Sequence, residues 1–199
     1  MPGERTALIL VGGEARRSGG MEKYFFEYKG ETFISHMIGT LAHVTDEIII
    51  VARDEEQCRK FQDMAGIKTA SDSVRGIGPL GGIIAGIEEA EGDLIFITAC
   101  DMPCIRSDVV EHLFSAIGDY DAAVPYWSDD MYEPLHAVYR KESLREYIQT
   151  HTSYSLRSMI RSINQLFIPI QDIRKLDPDL RSFTNINELT DLDAINGNE

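Results

Sequence analysis

Ala7-Leu8-Ile9-Leu10-Val11-Gly12-Gly13-Glu14-Ala15-Arg16-Arg17-Ser18-Gly19-Gly20-Met21-Glu22-Lys23 joins a short apolar run to a loop of four glycines and three cations. The run 7–11 is rich in large aliphatic residues and too short for a stable helix, so it predicts a buried parallel strand. Glycines directly after such a strand let the backbone approach a ligand closely, with N–H groups turned toward an anion. Arg16, Arg17 and Lys23 add charge-assisted bonds to phosphate oxygens. The pattern suits a polyphosphate; the competing reading is a tight turn with no ligand. It is not a Walker A loop, because no Gly is followed after four residues by Gly-Lys-Ser/Thr.

Outward from this loop, strand and helix patterns alternate. Strands are expected at 6–11, 48–52, 67–70, 94–98, 122–125, 135–139 and 166–170. Helices are expected at 32–44, 54–64, 79–90, 107–117, 142–150, 155–163 and 188–195. Asp54 suits a helix cap, Pro79 a first turn, and Gly118 a helix end. The β-α-β-α-β order of the first half predicts an α/β, Rossmann-like three-layer fold with a mostly parallel sheet between helices. Ligands of such sheets bind at the carboxyl ends of the strands. Three loops fall there: the glycine loop, 72–82, and 98–103.

At 199 residues the chain reads as a single domain, 1–199, able to bury a full core. Its formal charge of −14 argues against nucleic acid as a partner. No apolar run is long enough for a membrane span, and the first residues lack a signal-peptide pattern, so a cytoplasmic protein without membrane association is expected. Three cysteines, at 58, 100 and 104, make no disulfide framework and read as free thiols.

Two further features compete for attention. Gly76-Ile77-Gly78-Pro79-Leu80-Gly81 matches G-x-G-x-x-G, with Asp101 about where a ribose-binding acid would stand, so a nicotinamide-dependent enzyme is a rival. The polar stretch before Gly76 is a poor strand, which weakens that match. Asp101 ends the apolar run Phe96-Ile97-Thr98-Ala99-Cys100. A carboxylate there suits Mg²⁺, which takes one or two carboxylates plus phosphate oxygens and water. The alternative is a helix cap or turn residue before Pro103.

Together these pieces resemble a known family. The loop is similar to the L-A-G-G-x-x-x-R-M-G-x-D-K pattern of sugar-nucleotide-type nucleotidyltransferases, and most of all to molybdenum cofactor guanylyltransferases. Gly78-Pro79-Leu80-Gly81-Gly82-Ile83, Cys100-Asp101-Met102-Pro103 and Phe183-Thr184-Asn185-Ile186-Asn187 resemble further segments of that family, in the same order. Val11, Ser18 and Glu22 stand where the pattern has Ala, Met and Asp. Val51 stands where members often carry Asn, with Arg53 two residues on, which leaves the base preference open.

The resemblance implies the nucleotide-diphospho-sugar transferase type of fold and a Mg²⁺-dependent reaction. GMP would pass from GTP to a molybdopterin-type acceptor, releasing pyrophosphate, with no protein nucleophile. Lys23, Arg17 and Asp101 would be catalytic, and Asp101 would hold the metal. Leu10, Val11, Gly12, Gly13, Lys23, Asp72, Gly82 and Asp101 would bind the nucleotide. Asn185 and Asn187 would face the metal or the acceptor. An N-cap for Asn187 and an Asx turn for Asp72 are the competing readings. Glu133-Pro134-Leu135-His136 resembles a segment facing the acceptor. Molybdoenzymes or other cofactor-biosynthesis proteins would be the protein partners. Transfer to a sugar phosphate or cobinamide phosphate, and a nucleotide-binding protein without turnover, are the alternatives.

Overall fold

A computed structural model describes residues 4–12, 22–28, 30–72, 74, 76–128, 130–186 and 191. Strand β1 (Arg5–Leu10) is followed by a two-residue hairpin, β2 (Glu27–Tyr28) and β3 (Glu31–Thr32), and by α1 (Phe33–Leu41). Next come β4 (Glu47–Ala52), α2 (Glu55–Cys58), β5 (Lys68–Ser71), α3 (Pro79–Glu89), β6 (Leu94–Ala99) and α4 (Ser107–Ala116). The second half holds β7 (Ala122–Ser128), β8 (Met131–Tyr132), β9 (His136–Arg140), α5 (Lys141–Thr150), α6 (Leu156–Ser162), β10 (Gln165–Pro169) and α7 (Ile170–Ile173).

The large sheet has the order β10-β7-β9-β6-β1-β4-β5, with β8 paired to β7. β5, β4, β1 and β6 are mutually parallel, whereas β9 runs antiparallel to both of its neighbours, β6 and β7. The chain leaves β1 for β4 and β5, then returns to β6 on the other side of β1. The order therefore reverses between β1 and β6, and in such sheets the crevice outside that reversal is where ligands sit.

Alternating strand residues feed two cores. Ala7, Ile9, Ile48, Ile50 and Phe96 pack with α1 and α4 on one face. Leu8, Ile49, Val51, Ile95 and Ile97 pack with α3, α5 and α6 on the other. Burial on both faces explains the unbroken apolar runs. Helix α3 sits close on β1: a Cβ on Gly86 would lie 2.7 Å from Leu8 Cδ1.

The expected α/β architecture with a mostly parallel sheet is present; several bounds differ. The helix expected over 32–44 starts after its cap, Thr32, and stops at Leu41, whose carbonyl accepts from Val44 N, Thr45 N and Thr45 Oγ1. The helix expected over 54–64 is a single turn capped by Asp54, then a 3₁₀ turn at Arg59–Phe61. The tighter turn places Cys58 and Phe61 on one side, both buried. The last strand ends at Pro169, because Ile170 and Ile173 bury themselves at helical spacing. The short strands β2, β3 and β8 had no apolar run to announce them. The helix expected at 188–195 lies outside the described residues except for Asp191.

Candidate active site

A cavity of about 710 Å³ opens over the carboxyl ends of β6, β1, β4 and β5. Its wall comes from residues 10–12 after β1, 51–54 after β4, Asp72 after β5, the start of α3, 99–101 after β6, and 22–24. From β6 to β5 is three strand spacings, ~14 Å, the scale of a nucleoside with its phosphates.

At the β6 end, Lys23 Nζ stands 3.6 Å from Asp101 Oδ2, and both side chains keep roughly a quarter of their surface exposed (23% and 29%). Lys23 opens a 3₁₀ turn, Lys23–Phe25, held by the ring of Tyr24 packed edge-on against Phe61. The described lining carries two cations, Lys23 and Arg53, against four carboxylates, Glu22, Asp54, Asp72 and Asp101. Arg53 is spent on its neighbours: Nη2 lies 3.1 Å from Glu22 Oε1 and Nε 3.2 Å from Asp54 Oδ2. The described lining is therefore net acidic. Among the described residues no three His, Cys, Asp or Glu cluster into a metal site. A lone Asp101 with phosphate oxygens and water is a donor set that suits Mg²⁺. Burial and the adjacent Asp101 carboxylate push the Cys100 thiol up to about 12.

Between β1 and β4 the wall is tight and apolar where α3 packs on it. A Cβ on Gly82 would come within 3.3 Å of Leu10 Cδ2 and 3.4 Å of Val51 Cγ1. Gly78, at φ +66, turns the chain into α3, whose Pro79 takes the first helical position. Asp72 makes the Asx turn and stands in the cavity wall; its Oδ1 accepts from Val74 N at 2.9 Å.

Leu10, Val11, Gly12, Lys23, Asp72, Gly82 and Asp101 thus meet around one space. The Val11 N–H donates to Val51 O at 2.9 Å. Gly13, Arg17 and Asn187 lie outside the described residues. Asn185 is exposed and does not line the cavity, although Ile186 N beside it donates to Asp101 O at 2.7 Å. The lining residues Glu22, Arg53 and Asp54 were not expected as site residues. The exit of β4 at the carboxyl edge was the signal for Arg53 and Asp54. The G-x-G-x-x-G match falls between edge strand β5 and α3, after a loop rather than a strand, away from the reversal between β1 and β6.

The MobA-like NTP transferase domain matches residues 7–166 of this sequence. The chain belongs to the MobA-like NTP transferase family. It is an enzyme of the nucleotidyltransferase type. A probable molybdenum cofactor guanylyltransferase of Methanosarcina acetivorans is 37% identical, covering 97% of this chain and 90% of the relative. One from Peptoclostridium acidaminophilum is 36% identical, covering 94% and 86%. Molybdopterin-guanine dinucleotide biosynthesis protein A of Archaeoglobus fulgidus has the same fold, with a TM-score of 0.77, 29% identity and 95% of each chain covered. Like that MobA protein, the present MobA-like chain folds as a nucleotide-diphospho-sugar transferase.

Proposed function

We propose that this protein is a molybdenum cofactor guanylyltransferase: it transfers GMP from GTP to the terminal phosphate of a molybdopterin-type acceptor. The observation that carries the reading is the pairing of Lys23 with Asp101 in the wall of a cavity that Gly12, Asp72 and Gly82 also line. The guanine choice and the acceptor rest on the relatives' activity.

An acceptor phosphate oxygen attacks the α-phosphorus of GTP, and the bond to the β-phosphate oxygen breaks as pyrophosphate leaves. No protein nucleophile is needed, so positioning and charge stabilisation carry the catalysis. The Lys23 ammonium neutralises the triphosphate and the leaving pyrophosphate, helped by Arg17. Backbone at Gly12 and Gly13 contacts the phosphates. Asp101 would hold Mg²⁺, which would supply Lewis-acid charge stabilisation for the phosphates. Asp72 and Gly82 hold the nucleoside.

A second cavity of about 610 Å³, lined by Trp127, Tyr132, Glu133, Pro134 and Arg157, supports an acceptor on that side. Leu135, next in the chain, lines the first cavity, so residues 133–135 join the two. Trp127 Nε1 donates to Glu133 Oε1 at 2.8 Å and steadies that join.

Calorimetric titration of GTP, CTP, ATP and NAD, each with and without Mg²⁺, tests the nucleotide half. Mg²⁺-dependent binding of GTP over the others is the expected result. Preference for CTP or ATP moves the protein to another branch of the same chemistry, and binding of NAD alone overturns it. Pyrophosphate release with molybdopterin then tests the acceptor. Turnover only with a sugar phosphate or cobinamide phosphate reassigns it, and none with any acceptor leaves a nucleotide-binding protein.

A further inference from the structure

Gln57 lies behind the cavity wall, with 1% of its surface exposed, in a helix one turn long. Burying a carboxamide is costly unless its donors and acceptor are paired. Here they are paired to three separate wall segments. Oε1 accepts from Arg53 N at 2.9 Å, and Nε2 donates to Val11 O at 3.4 Å and to the Tyr24 hydroxyl at 3.3 Å. The Gln57 backbone N–H donates to Asp54 Oδ1 at 2.9 Å, which fixes the turn that presents the side chain.

Each bond constrains a peptide or side chain of the cavity wall. Val11 O belongs to the Val11-Gly12 peptide. In a planar trans unit the C=O and N–H point in opposite directions. Holding that carbonyl toward Gln57 therefore directs Gly12 N–H away from Gln57, toward the cavity that Gly12 lines. Arg53 N is the atom against which Gly12 packs, 3.2 Å from where a Cβ would be. The peptide that carries it is held on its other side too, because Ala52 O accepts from Asp72 N at 2.7 Å. Tyr24 follows Lys23 in the 3₁₀ turn.

We propose that Gln57 is a positioning residue, which aims the Gly12 N–H and the Lys23 turn at the nucleotide's phosphates without touching substrate. This rests on the nucleotidyltransferase reading of the cavity.

The test compares the full-length protein with Gln57→Met, which keeps the side-chain length and removes all three bonds. Calorimetry with GTP and Mg²⁺ is paired with KM for GTP, KM for the acceptor, and the melting temperature. Ile173→Val, a buried change in α7, serves as a control that lowers stability elsewhere. The expected result is a GTP Kd and KM raised about tenfold or more, with the acceptor KM unmoved. A Gln57→Met protein that melts lower, as Ile173→Val does, but binds GTP within twofold of wild type overturns the proposal. If Gln57→Met does not fold, Tyr24→Phe removes one bond and keeps the ring on Phe61. A GTP Kd raised about threefold supports the proposal, and an unchanged one overturns it. A wild-type protein that binds no nucleoside triphosphate sinks the nucleotidyltransferase reading instead, and is recognised before any variant is made.

Discussion

The two ends of the same strands solve opposite electrostatic problems. At the amino end of β1 and β4 the charges close on one another. Glu47 accepts from Thr6 Oγ1 at 2.5 Å, Lys68 Nζ at 2.6 Å and Glu91 N at 3.0 Å, and Lys141 Nζ reaches Ala90 O at 3.0 Å. At the carboxyl end, the described lining sets four carboxylates against two cations around an open cavity. One end closes its charges on one another; the other has an acidic excess among the described lining residues, where the proposed nucleotide would bring its own cation. On that reading stability belongs to the first and chemistry to the second, so damage at each end should be read by different measurements.

The largest effects are expected at the carboxyl end. Asp101→Asn removes the charge proposed to hold Mg²⁺ and keeps the shape. Turnover is expected to fall at least a thousandfold, ~4 kcal/mol, with the melting temperature within a degree or two of wild type. Unchanged Mg²⁺ dependence in a magnesium titration of turnover would put the metal elsewhere. Lys23→Ala is expected next, at ~3 kcal/mol of transition-state stabilisation or about a hundredfold in kcat/KM. Steady-state kinetics near the wild-type values would remove Lys23 from the chemistry. A large loss of stability in either variant would break the contrast between the ends.

The same contrast explains what could be read without coordinates. Parallel strands buried on both faces leave unbroken apolar runs, so β1, β4 and β6 and their order were legible, and so was Asp101 at the end of one of them. Gly12 after β1 was legible as a place of close backbone approach, and a Cβ there would lie 3.2 Å from Arg53 N. The β2–β3 and β7–β8 hairpins were not, since two-residue strands carry no periodicity. Gln57 sits in a one-turn helix where no pattern marks it, and its role arises only when β1 and β4 lie side by side. The satisfied N–H of Val11 is a consequence of sheet register, which its neighbours in sequence do not reveal.

Beneath the carboxyl end lies a buried titratable group. His136 on β9 is fully buried opposite Thr98 on β6, between the rings of Phe96 and Phe183 at 5.1 and 4.8 Å, and among the described residues neither ring nitrogen has a hydrogen-bond partner. Burial lowers its pKa to about 3, opposed by the Asp177 carboxylate. The folded protein therefore keeps His136 neutral where the unfolded chain, with an ordinary pKa of about 6.5, already binds a proton. Stability from this residue is complete above pH 6.5 and is lost as pH falls toward 3, by about 1.4 kcal/mol per pH unit. Urea unfolding of wild type and His136→Leu at pH 7.5 and 5.5 reads the difference. The variant is expected to match wild type within ~1 kcal/mol at pH 7.5 and to gain on it by about 1.4 kcal/mol at pH 5.5. Equal slopes would mean that the imidazole is reached by water or finds a partner.

The smallest effect is expected at the amino end, and it tests the contrast most sharply. Glu47→Ala takes away the acceptor shared by the Thr6 hydroxyl, the Glu91 N–H and the Lys68 ammonium. Thr6 is fully buried but still receives the Gly92 N–H at 3.1 Å, while Lys68 and Glu91 are open to water. The cost is therefore about 1–2 kcal/mol of stability rather than the full penalty of a stranded buried charge. Thr6 stands four residues before Leu10 on β1, ~13 Å along the strand from the cavity. At that distance, through a close-packed sheet, kcat and the GTP KM should stay within twofold of wild type while the urea midpoint drops. If turnover falls with stability, the strands transmit strain from one end to the other, and the amino-end network is part of what holds Gly12 and Asp101 in place.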